Sequence, residues 1–216
     1  RIGPPILRTN KIVCGGLNYR DHILEMKREM PRFPVIFAKY PTAVSGPYDP
    51  IPLNPRLTQK LDYEVELAFV IGKGGRNIPP ERAYDHVAGY CVVNDVSARD
   101  MQKRTIEWTQ GKTLDMSLPM GPLVTKDEAG DPHTLDIRLS VNGELRQHSN
   151  TGQLVFTVPK LVAFLSEIFT LEPGDIVCTG TPGGVGEPQG LFLKEGDVVR
   201  AEIERLGHIE NRVADI

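Results

Sequence analysis

Residues 134–149 read TLDIRLSVNGELRQHS, and no other stretch restricts the fold as tightly. Leu135, Ile137, Leu139 and Val141 alternate with polar residues, the period of a strand that buries one face. Asn142-Gly143 then supplies the positive φ values of a two-residue primed turn, so the chain doubles back as an antiparallel hairpin. A second hairpin is expected at Leu206-Gly207-His208. Further strand-like runs at 11–14, 35–39, 61–71, 89–94, 175–179 and 197–204 are punctuated irregularly, for which 21 Gly and 18 Pro provide. Helices are fewer. TVPKLVAFLSEIF sets a Thr157 N-cap and Pro159 ahead of an apolar stripe at Leu161, Val162, Leu165 and Ile168. PPERAYDHVAGY opens on prolines suited to a helix start, and two short helices are expected in NYRDHILEMK and SARDMQKR. Strands that outnumber helices, with hairpins written into them, indicate an α+β, mostly β fold rather than a doubly wound parallel sheet.

Charge excludes some functions. The 28 acidic and 25 basic residues give a net charge of −3 without long runs, so no basic stripe marks a nucleic-acid surface. No apolar stretch approaches the roughly 20 residues of a membrane span. Cys14, Cys91 and Cys178 lie in separate apolar runs without C-x-x-C spacing, which indicates buried, reduced thiols and a cytosol-like compartment. At 216 residues, 1–216 is expected to form one domain, and because the chain opens on Arg1, an N-terminal extension is expected before it.

The chemistry centres on LDYEVELAFV, residues 61–70. Alternation places Asp62, Glu64 and Glu66 on one face and Tyr63, Val65, Leu67 and Phe69 on the other. Residues two apart on a strand are separated by roughly 6.6 Å, so both glutamates can reach one point. Like charges so placed repel unless a cation lies between them. Asp95, at the end of the apolar run GYCVVND, is the natural third ligand. Three carboxylates without Cys or His form a hard oxygen site suited to Mg2+, Mn2+ or Ca2+. The competing reading is a half-exposed strand whose glutamates face water. His22 and Glu25, three apart in GLNYRDHILEM, share a helical face and form a candidate general base; an ordinary surface pair is the alternative. Lys39 and Lys112 are candidates for anion binding. The Gly-rich TGTPGGVGEPQG matches no phosphate-loop pattern, but Thr181 within it can place a hydroxyl near a small carboxylate.

Taken in order, GLNYRDHxxE, DYEVELAFVIG, NDVSARDMQ, GKTLDMSLPMGP and LEPGDIVCTGTPGGVG closely resemble the fumarylacetoacetate hydrolase (FAH) family, from about Lys11 onward. The likeness is to the branch of acylpyruvate hydrolases, oxaloacetate decarboxylases and 2-hydroxyhepta-2,4-diene-1,7-dioate isomerases. It implies a mixed-sheet β roll of the FAH C-terminal type, a homodimer, and a Mg2+ or Mn2+ cofactor. By the same resemblance Glu64, Glu66 and Asp95 are the metal ligands, and His22, Glu25 and Lys112 are catalytic. Lys39, Arg99, Gln102 and Thr181 fall on substrate-binding positions. The expected substrate is a pyruvate-like 2-oxo acid that reacts through an enolate beside the metal, with hydrolytic C–C cleavage of a 3-acylpyruvate placed first. Decarboxylation of oxaloacetate and isomerisation of the dienedioate are the alternatives, followed by a non-catalytic metal-binding module or a structural calcium site. Tyr40 after Lys39 and the compact segment 103–108 depart from the family pattern, where substrate choice is made. A cytoplasmic protein is expected, or a mitochondrial one in a eukaryote, with neither nucleic acid nor membrane as partner.

Overall fold

A computed structural model describes residues 2–215. Two mixed sheets carry the fold. The larger has six strands in the spatial order Val124–Thr125, Val87–Asn94, Val65–Ile71, Ile176–Cys178, Ile12–Gly16 and Val35–Lys39. All neighbours in it are antiparallel except Ile12–Gly16 beside Ile176–Cys178. The smaller sheet orders Glu144–Asn150, Asp136–Val141, Val198–Ile203, Gly207–Asp215 and Ile51–Leu53, with only the last pair parallel. This is the α+β, mostly β arrangement that the strand pattern indicated.

The hairpin at residues 134–149 forms as read, with Asn142 at φ 53° and Gly143 at φ 81°. The second hairpin turns two residues earlier than expected, with Arg205 at φ 62° in its middle, and Gly207 already pairs with Ile203. Its inward residues Val199, Ala201 and Ile203 join Ile137, Leu139 and Val141 against Val65, Leu67 and Phe69 of the large sheet. The helix Val158–Ile168 closes this core with Leu161, Val162 and Leu165. Thr157 occupies the N-cap position, but its side chain makes no capping hydrogen bond. PPERAYDH forms a 3₁₀ segment, Pro80–His86, in place of the expected α-helix.

The opposite face of the large sheet is also covered. Ala68, Val70, Cys91, Val93, Ile176 and Cys178 pack into a second apolar cluster. Every residue of Val65–Ile71 is therefore buried, as in a strand enclosed on both faces. Glu64, just before this strand, is buried as well, and the half-exposed reading of the two glutamates falls.

The expected single strand over 61–71 is in fact two, Leu61–Asp62 and Val65–Ile71. At the break, side chains replace ladder partners: Glu64 N–H donates to Asn94 Oδ1 at 2.9 Å and Val65 N–H to Gln147 Oε1 at 3.0 Å. The kink separates Asp62 from the other two acids. Its carboxylate accepts from the Gly186 and Glu187 amides and from Arg99 Nε, at 2.8, 3.0 and 2.9 Å.

Candidate active site

Glu64 and Glu66 come from the kinked strand, and Asp95 follows the neighbouring strand Val87–Asn94. Asp95 N–H donates to Glu64 O at 2.8 Å, which locks the two backbones in register. Carboxylate oxygens of Glu64, Glu66 and Asp95 all lie within 4.8 Å of one another, and all three residues are buried. Such a cluster is electrostatically untenable without cations. The chain supplies three. Lys112 Nζ donates to Glu64 Oε2 at 2.7 Å and Asp95 Oδ2 at 2.8 Å; Lys39 Nζ donates to Asp95 Oδ1 at 2.7 Å. Arg99 Nη2 pairs with Glu64 Oε1 at 2.7 Å.

Protonation follows the cations. Burial alone would raise the Glu64 carboxyl, but Lys112 and Arg99 hold it down at about 2. Burial raises Glu66 well above the glutamate range, and Asp95 and Glu64 push it further the same way. Among the described residues no ion pair reaches Glu66; it accepts a 2.8 Å hydrogen bond from Gly180 N–H. Burial would lower the Lys112 ammonium, yet Asp95 and Glu64 raise it, so the lysine stays charged.

These residues open onto a cleft of about 290 Å³ whose walls include His22, Glu64, Glu66, Arg99, Gln102, Lys112 and Thr181. Tight packing sets the wall that carries the two long cations. A Cβ at Gly111 would sit 2.4 Å from Gln102 N and 2.5 Å from Ala98 O, so only glycine lets Thr109–Lys112 lie against Arg99–Gln102. Phe37 and Trp108 meet edge to face at 5.4 Å, and Lys112 Nζ lies 5.1 Å from the Phe37 ring centre. His22 and Glu25 sit on the helix Arg20–Glu25, with His22 Nδ1 3.2 Å from Glu25 Oε2. Gly184, at φ 95°, donates its N–H to Glu25 at 3.2 Å, tying the pair to the glycine loop. A carboxylate on Nδ1 holds the proton there and leaves Nε2 as the acceptor.

Seven of the ten residues singled out in the sequence line this cleft; Asp95 and Lys39 pair with each other outside its lining, and Glu25 is held against His22. Lys39 differs from its expected role as a substrate contact. Its ammonium is fully buried on Asp95 and on the Val96 carbonyl, and it is not part of the cleft wall. Thr181 lines the cleft, but its hydroxyl donates to Val65 O at 3.0 Å and accepts from Gln147 Nε2 at 2.8 Å. Two residues went unrecognised in the sequence. Gln147 is fully buried and joins Val65 N–H to Thr181 and Pro182 O, although its alternating hairpin gave no sign of this. Asp62 shared a face with Glu64 on paper, and its partner Arg99 could not be read from spacing.

Three carboxylates with no Cys or His, one of them lacking an ion-pair partner, fit a hard divalent cation. Residues 11–214 match the family described as fumarylacetoacetate (FAA) hydrolase C-terminal. The chain belongs to the fumarylacetoacetate hydrolase family. Curated FAH relatives include the mitochondrial oxaloacetate tautomerase of Xenopus laevis, 53% identical over 97% of this chain and 67% of its own length. A human mitochondrial oxaloacetate tautomerase is 49% identical over 97% of this chain and 68% of its own length. Among solved structures, fumarylpyruvate hydrolase from Pseudomonas aeruginosa in complex with Mn2+ and pyruvate superposes with a TM-score of 0.88. It is 38% identical and is matched over 96% of this chain and 91% of that one. The 2-hydroxyhepta-2,4-diene-1,7-dioate isomerase of Mycobacterium marinum gives a TM-score of 0.88 at 39% identity, over 100% and 78% of the two chains. No helix among the described residues is long and apolar enough to cross a membrane.

Proposed function

We propose that this FAH-family chain acts on 2-oxo acids through an enolate, using Mg2+ or Mn2+, and that its reaction is the enol–keto tautomerisation of oxaloacetate or a similar dicarboxylate. The observation that carries this reading is the buried Glu64–Glu66–Asp95 cluster sharing one cleft with the His22–Glu25 pair. The choice of oxaloacetate is supported by relatives of that name at 49–53% identity. It displaces 3-acylpyruvate cleavage from first place.

Held by the three carboxylates, the ion would supply Lewis acidity and a template for the carboxylate and keto oxygens of a 2-oxo acid. The chain's own groups do the rest. Lys112, fixed among the acids, offsets the negative charge that develops on the substrate's enol oxygen, an electrostatic role typically worth a few kcal/mol. His22 Nε2 takes the enol proton and returns one to C3, and Glu25 steadies the imidazolium that forms between the two transfers. Arg99, on the cleft wall and ion-paired with Asp62 and Glu64, holds Glu64 in place. Lys39 orders Asp95 from behind rather than touching substrate.

Hydrolytic cleavage of a 3-acylpyruvate is the second reading, favoured by the fumarylpyruvate hydrolase neighbour. There His22 would activate water against the distal carbonyl, with Glu25 in the same part. Parallel ultraviolet assays of enol-oxaloacetate ketonisation and acetylpyruvate cleavage, with purified protein and Mg2+, separate the two. Faster ketonisation is expected. Cleavage that outruns it would reverse the order, and activity indifferent to metal would remove both.

A further inference from the structure

The cleft carries four cations on its walls: Arg28, Arg99, Lys103 and Lys112. Three are already engaged. Lys112 holds Glu64 and Asp95, Arg99 holds Asp62 and Glu64, and Lys103 Nζ lies 2.8 Å from Glu187 Oε1. Among the described residues, Arg28 is the one cleft cation whose guanidinium has no carboxylate partner.

Its position is built by the backbone. The helix that bears His22 and Glu25 ends with Lys27 N–H on Leu24 O and Arg28 N–H on Ile23 O, both at 3.0 Å. These are the paired bonds of a Schellman turn, in which the residue after the cap adopts the left-handed conformation. Lys27 does so at φ 52°, where glycine is the usual occupant. The chain accepts that strain and reverses direction there, which sets Arg28 on the cleft wall immediately after the catalytic helix.

We propose that Arg28 is the specificity-determining residue of this cleft, and that it pairs with the distal carboxylate of a dicarboxylic 2-oxo acid. The proposal rests on the reading of the site as one for 2-oxo acids. A dianion entering a cleft floored by acids needs one compensating charge beyond those that order the floor, and Arg28 is the cation left for it. A guanidinium suits the task because its fork matches a carboxylate in bidentate fashion. The neighbouring walls, Met26, Ile106 and Trp108, would accommodate an uncharged chain without discrimination.

The test is calorimetric and does not depend on turnover. Mg2+-loaded protein is titrated with 2-oxoglutarate and with 2-oxovalerate, which share a head group and differ by a distal carboxylate in place of a methyl. Wild type is expected to prefer the dicarboxylate by about tenfold to a hundredfold, as for a charge-assisted pair. Arg28→Met should abolish that preference, Arg28→Lys should restore part of it, and Arg32→Met, an exposed cation outside the cleft wall, should leave it intact. Equal wild-type affinities, or an Arg28→Met variant that keeps the preference, would overturn the assignment. Oxaloacetate turnover is measured alongside. Its absence with the preference present and lost in Arg28→Met would remove the tautomerase reading and leave the role of Arg28 standing.

Discussion

Replacing Glu66 with Gln changes one charge at the least compensated point of the site. With all four ionised, Asp62, Glu64, Glu66 and Asp95 would set four negative charges against three positive ones on Lys39, Arg99 and Lys112, one negative charge in excess. Glu66 is the carboxylate without an ion pair, and its carboxyl is raised by burial first and then by Asp95 and Glu64. Gln keeps the shape and can still accept from Gly180 N–H. The metal-free variant should therefore be at least as stable as metal-free wild type near neutral pH. Metal binding should suffer, because one of three anionic ligands is lost. Loss of mere outer-shell partners weakens metal sites by about 10- to 100-fold, so at least a hundredfold is expected here. A hundredfold is about 2.7 kcal/mol, and at this chain length 1 kcal/mol moves Tm by about 2–4 °C. Thermal melts with chelator and with graded Mg2+ or Mn2+ should show a metal-induced rise of roughly 5–10 °C in wild type that is lost in Glu66→Gln. An undiminished rise in the variant would refute the metal assignment. A variant much less stable than wild type under chelator would refute the charge argument.

Four further outcomes follow from the same geometry. His22→Ala should lower kcat by about 10²–10⁴-fold with little change in metal-induced stabilisation, and steady-state kinetics beside thermal melts checks both. Gln147→Leu should destabilise the fold by about 1–3 kcal/mol for each buried group left unpaired, foremost Val65 N–H and read by urea denaturation, because its amide serves three partners. The pH dependence of metal-free stability should carry two opposite contributions. Glu64, held at about 2, stabilises above the ordinary glutamate value of 4.5, and that contribution is lost as pH falls from 4.5 toward 2. Glu66, raised in the folded state, makes stability fall as pH climbs above 4.5, and this alkaline loss should vanish in Glu66→Gln on denaturation curves across pH.

Much of this site is legible in the sequence, and the reason is periodicity. Glu64 and Glu66 stand two apart in an apolar run, and the period of a strand puts them on one face whatever surrounds it. The hairpin at Asn142-Gly143 was legible for a similar reason, since its turn chemistry is local. What escaped depends on contacts distant in sequence. The break after Asp62 arises where Asn94 and Gln147 side chains take over backbone pairing, 30 and 82 residues away. The burial of Lys39 on Asp95 spans 56 residues, so nothing near Lys39 announces that it faces an acid instead of substrate. Pro80–His86 missed its helical form because the prolines that suit a helix start do not supply the length or the apolar stripe that sustains one. Arg28 owes its place to a Lys in a position that sequence rules assign to glycine, which hides the Schellman turn.

The most direct test of the central claim is an anomalous difference map from crystals of the wild-type protein soaked in Mn2+. A single strong peak about 2.1 Å from oxygens of Glu64, Glu66 and Asp95 is the predicted result, the distance being that of a small hard divalent ion. A site empty at saturating Mn2+, with Lys112 still bridging Glu64 and Asp95, would contradict it and leave the acids as a structural ion-pair network.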